Sequence, residues 1–119
     1  MKYFSIFTLT LLLNTNAFAG TERMKVINSS ELNKYIVYSS NHSDPTIANV
    51  AKFWVSGLDG GCKGVYYFAD VEKSLHSAVL IGLAKVSQTI VFRYHIDVSK
   101  MMPGTNDTCE LVSFQLGAN

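Results

Sequence analysis

Asp70–Ser87, DVEKSLHSAVLIGLAKVS, is the stretch whose reading decides the fold, because no other segment has a helical signature. Asp70 is placed to cap the first turn with its carboxylate, and Glu72, just inside, complements the helix dipole as Lys85 does in the last turn. At about 100° per residue Val71, Leu75, Ala78, Val79, Gly82 and Val86 fall on one stripe, enough to cover a small sheet. The spacing therefore predicts a helix over 71–87. Gly82 inside it costs about 1 kcal/mol relative to alanine, so a close backbone approach to the sheet is expected there. Leu80, Ile81 and Ala84 lie off the stripe. That second apolar face is expected either to be covered by a loop or to meet copies of itself.

Outward from the helix the chain reads as short strands. Met24–Asn28 is a short strand, and residues 29–33 form a polar turn. Lys34–Ser39 is β-branched and aromatic, with Tyr35 and Val37 on one face and Ile36 and Tyr38 on the other. Ser40–Thr46 is a loop, Val50–Ser56 the next strand, and Asp59-Gly60-Gly61 a hairpin signal before Lys63–Ala69. After the helix, Thr89–Val98 alternates, with Ile90, Phe92, Tyr94, Ile96 and Val98 inward and Val91, Arg93, His95 and Asp97 outward. Glu110–Leu116 closes the chain, with Val112, Phe114 and Leu116 inward. Up to four strands, one helix and then two strands suit a mainly β, OB-fold-like small barrel of five or six strands plugged by the central helix. A two-layer sheet with the helix on one face is the competing arrangement.

The first 19 residues stand apart. Lys2, the apolar run Tyr3–Leu13 and the small residues Ala17 and Ala19 read as a signal peptide cleaved before Gly20, which implies a secreted or periplasmic protein. The single domain is then 20–119, and no later segment is apolar and long enough to cross a bilayer as a helix. Ten basic residues against nine acidic give a charge of +1. Losing Lys2 brings the mature chain to zero, which argues against nucleic acid and against electrostatic capture by an anionic membrane. In an exported chain the two cysteines, Cys62 and Cys109, read as a disulfide across the helix, one that the chain-entropy model values at roughly 4 kcal/mol.

Chemistry-bearing motifs are sparse. No nucleophile elbow, His-Glu-x-x-His, Walker or Rossmann pattern is present, so no catalytic residue, metal or cofactor is expected and the chain does not read as an enzyme. His76 reads as a solvated helix residue, and His95 with Arg93 and Asp97 as a polar ladder on a strand face. Binding has more material. Tyr38, Ser39, Asn41, His42 and Trp54 bring aromatic faces, amides and hydroxyls to a strand end and its loop, the mix that sugar recognition uses. The alternative is that the aromatics simply pack the sheet.

From Cys62 to Gly117 the order is cysteine, aromatic strand (Val65–Phe68), Asp-led apolar helix, β-branched strand and second cysteine. That order resembles the carbohydrate-binding B subunits of bacterial toxins, of the subtilase-cytotoxin and typhoid-toxin kind. The resemblance implies a homopentameric ring, with Leu80, Ile81 and Ala84 facing other copies, a host-cell glycan as ligand and a possible toxin A subunit as partner. A stand-alone structural or inhibitor protein of the same fold, without a sugar site, is the alternative.

Overall fold

The computed structural model describes residues 21–32, 34–85 and 87–117. The expected signal peptide, its cleavage point and Val86 lie outside them. Six strands, β1 (Glu22–Asn28), β2 (Tyr35–Val37), β3 (Val50–Trp54), β4 (Gly64–Phe68), β5 (Thr89–His95) and β6 (Thr108–Leu116), form one sheet. Helix α1 (Lys73–Ala84) lies between β4 and β5 in the chain. The sheet order is β1-β5-β6-β4-β3-β2, antiparallel throughout except for the parallel β4–β6 pair.

The expected OB-fold-like barrel is therefore corrected to an open mixed sheet. Closure would require β1 to pair with β2, but each pairs on one side only. The chain passes between these two edges as a 3-10 turn over Ser29–Glu31. A capping box fixes that turn, with Asn28 accepting from the Ser30 amide and Glu31 accepting from the Asn28 amide. Leu32 then packs on the core. The step from Asn28 to Tyr35 reaches at most about 24 Å fully extended. Five strand spacings of a flat sheet need about as much. Since part of that step is a tight turn, the sheet must curl around its core without closing.

The core fills the concave side. Phe53, Val65, Val79, Ile90, Phe92, Tyr94, Cys109 and Phe114 are buried there, with Phe53 edge-on to both Phe92 and Phe114. α1 seals this side with Leu75, Ala78, Val79, Gly82 and Leu83. The expected stripe thus holds through its middle. A Cβ on Gly82 would stand 2.9 Å from the Phe114 ring and 3.2 Å from Leu116, the close approach that offsets glycine's cost. The helix ends differ from expectation. The amides of Val71 and Glu72 both bond the Phe68 carbonyl, so a turn precedes the helix and Glu72, not Asp70, stands at its N-cap. At the other end the buried Ser29 hydroxyl donates to the Lys85 carbonyl and accepts from the Gln88 amide, which stops the helix at Ala84 and leads the chain into β5.

Two inward assignments are also corrected. β5 ends at His95, and Asp97 caps a 3-10 turn over Val98–Lys100, accepting from the Ser99 amide and hydroxyl, which leaves Val98 74% exposed. In β6 the register shifts opposite Arg93 and Tyr94. Arg93 pairs with Ser113 and Tyr94 with Leu111, so Val112 is a bulge residue, 40% exposed, while Leu111 turns inward at 4%. Leu111→Ala is accordingly expected to cost about 2 kcal/mol or more in denaturant unfolding, and Val112→Ala to change stability by under about 1. The reverse order would remove the bulge.

A second, smaller cluster sits on the convex side, where Tyr66 packs with Val50 and Met102 beneath the β5–β6 loop. β4 is consequently buried on both faces, and the Tyr66 hydroxyl donates to the Lys100 carbonyl at 2.9 Å. Burial, aided by the charge of Glu110, pushes that hydroxyl up to about 12. The folded state then keeps a proton that the unfolded chain releases near pH 10. Stability is unaffected below that point and is expected to fall as pH rises from about 10 to 12. Denaturant midpoints across this range should fall less in Tyr66→Phe.

Candidate functional site

The convex face carries one cross-strand row through all six strands: Glu22, His95, Glu110, Tyr66, Lys52 and Ile36. One half of that face is ionic. Arg93 pairs with Glu22 at 3.3 Å, and His95 stands 3.9 Å from Glu110. The expected ladder of Arg93, His95 and Asp97 is thus rebuilt from glutamates on the neighbouring strands, because Asp97 has left to cap its turn.

The other half is aromatic and cationic. Lys52 and Trp54, two residues apart on β3, share the convex face, and Tyr38 lies beside them where β2 runs out. The Lys52 ammonium lies 4.9 Å from the Trp54 ring centre and 5.7 Å from that of Tyr38. Lys34 Nζ stands 5.8 Å from Trp54. His42 meets Tyr38 edge-on at 5.3 Å, and its Nδ1 accepts from the Asp44 amide. Asp44 in turn accepts from the Thr46 hydroxyl and amide, which holds its carboxyl below the usual aspartate range. Trp54 also borders an open cleft of about 290 Å³ along the β3–β4 hairpin, with Leu58 and Lys63 on its wall.

Of the five residues selected from the sequence, the structure links Tyr38 and Trp54 through Lys52 and sets His42 against Tyr38. Ser39 and Asn41 are exposed alongside, yet the Ser39 hydroxyl is engaged in its own turn by the Asn41 amide. The two lysines were not among the expected residues. The signal for Lys52 is its place in Val50–Trp54, which puts it on the same strand face as Trp54.

The remaining residues sort clearly. Cys62 and Cys109 form the expected disulfide, with their Cα atoms 5.8 Å apart. Leu80 and Ile81 are 44% and 48% exposed and Ala84 is exposed, so no loop among the described residues covers this helix face. His76 is not a freely solvated residue. It is half-buried at the helix–sheet seam, its Nδ1 2.7 Å from the Tyr67 hydroxyl and 3.4 Å from that of Tyr35. Burial raises both tyrosines above their ordinary range. Among the described residues no group of three or more His, Cys, Asp or Glu side chains could hold a metal ion, and no helix is long and apolar enough to cross a membrane. No known family model, curated protein or solved structure matches the chain.

Proposed function

We propose that this chain is an exported, non-catalytic module that binds a glycan through Tyr38, His42 and Trp54. The supporting observation is that Tyr38 and Trp54 flank Lys52 on one face, with His42 edge-on against Tyr38. Tyr38 and Trp54 are each half-buried, so their rings are anchored in the sheet while keeping accessible surface. Aromatic faces of this kind suit the C–H surface of a pyranose, and the amide of Asn41 at the rim suits its hydroxyls. On the same reading the uncovered face at Leu80, Ile81 and Ala84 is where copies of the chain would meet.

A glycan array probed with the purified mature chain tests the reading, beside sedimentation at high concentration. Binding that falls about tenfold or more in Trp54→Ala, in a variant that still unfolds cooperatively, is the expected result. An array without a hit overturns the binding reading, and a monomer at every concentration overturns the assembly.

A second reading is an inhibitor that acts through an exposed strand. It draws on β1, an edge strand whose Met24 and Val26 are 54% and 56% exposed on the convex face. Capture of a partner chain along β1, lost on Val26→Lys, would favour it.

A further inference from the structure

We infer that the ligand of the Tyr38–Trp54 face is an acidic polysaccharide whose sugars carry ring carboxylates, that is, a uronate polymer. This rests on the glycan-binding reading and specifies its substrate class. The ring faces a sugar would use are already approached by cations, Lys52 between Tyr38 and Trp54, and Lys34 on Trp54. A neutral pyranose gains the Trp54 face only by displacing an ammonium from the ring and offering it nothing in return. A uronate takes the face and gives the displaced ammonium a carboxylate.

The lysines are available for this. Among the described residues neither Lys34 nor Lys52 has a carboxylate within 4.0 Å; the ion pairs there are Arg23–Asp59, Arg93–Glu22 and His95–Glu110. Glu110 shares the row with Lys52, but the Tyr66 ring stands between them and Glu110 faces His95. Asp44 is occupied by Thr46. In a chain of net charge +1 this is a local excess of cations, and Lys63 extends it along the cleft that Trp54 borders. A polymer with a charge on every sugar matches cations set side by side along a groove. A uronate also carries its carboxylate directly on the ring carbon, at the rim of the stacked face, whereas a sulfate ester stands further out on an exocyclic oxygen.

Calorimetric titration of the purified mature chain tests this with oligomers of galacturonate, mannuronate and glucuronate, each beside its uncharged methyl ester. At least one acid form is expected to bind about tenfold or more tightly than its ester, and Lys52→Gln to remove about tenfold of the acid's affinity while the ester, which no longer has an ammonium to displace, binds no more weakly than before. Added salt should weaken the acid form alone. An ester that binds as well as its acid overturns the inference and leaves the glycan reading standing. So does a neutral or sulfated glycan that binds where every uronate fails. If no glycan of any charge binds, both readings fall.

Discussion

Replacing Cys62 and Cys109 together by alanine is expected to lower the free energy of unfolding by about 4 kcal/mol, the value the chain-entropy model gives a loop of this length. In a domain of about 100 residues, each kcal/mol moves the melting temperature by about 4–8 °C, so the midpoint should drop by roughly 15–30 °C. The site of the bridge explains why little would replace it. The sheet consists of two antiparallel halves, β1-β5-β6 and β4-β3-β2, joined where β4 meets β6 in parallel. That joint has only three paired positions, Gly64 with Thr108, Val65 with Cys109, and Tyr66 with Glu110. The disulfide sits on it, with both cysteines buried. Without the bond the halves stay together through Val65, Leu111 and the helix. Hydrogen exchange should therefore show β4 losing protection before the centre of β5 does. Denaturant unfolding of the oxidised chain against the double variant measures the effect. A loss below about 1 kcal/mol would mean that the side chains alone hold the joint.

Where local pattern and tertiary packing agree, the sequence is legible here. The order of strands and helix and the Asp59-Gly60-Gly61 hairpin follow from residue types at short range, and the disulfide from the presence of just two cysteines in a chain read as exported. Ile90, Phe92 and Tyr94 are buried as their alternation predicts. Gly60, with φ +68, brings the hairpin tip against Ile96, so the turn residue is also a packing residue. The failures share a cause. A one-residue bulge at Val112 reverses the facing of everything before it, and no single-strand pattern announces such an insertion. Closure is a relation between β1 and β2, whose segments are close in sequence and lie at opposite edges of the sheet. It depends on how far the sheet curls, which hydrophobic periodicity does not encode.

The candidate site divides in the same way. Tyr38 and His42 are near in sequence and Trp54 is reached across one hairpin, so their meeting could be anticipated. Ser39 and Asn41 fit a sugar by composition, but Ser39 spends its hydroxyl within its own turn. Lys52 comes to lie between two rings only when Tyr38 and Trp54 arrive on either side. His76 reads as solvent-facing on a helical wheel because the wheel does not contain Tyr35 and Tyr67, which come from β2 and β4.

Phe92→Ala is expected to cost about 3–5 kcal/mol, the range for deleting a fully buried phenylalanine. Phe92 has no solvent exposure, stands at the middle of β5, and meets three other rings: Phe53 edge-on at 5.7 Å, Tyr94 tilted at 5.8 Å and Phe114 nearly parallel at 6.4 Å. Its neighbours cannot close the gap cheaply. Phe114 is held from the other side by Gly82, where the helix backbone already sits against the ring, so moving it would carry α1 along. The Phe114 ring and α1 are thus coupled, and truncation leaves a cavity rather than a repacked core. Val98→Ala is the matched control. The alternation of Thr89–Val98 makes Val98 as much a core residue as Phe92, whereas the folded chain leaves it exposed, and its truncation should change stability by less than about 0.5 kcal/mol. Equilibrium unfolding of both variants decides the matter. A small loss for Phe92→Ala would mean the curled sheet can tighten onto the gap, and a large loss for Val98→Ala would extend β5 past His95 and return Val98 to the core.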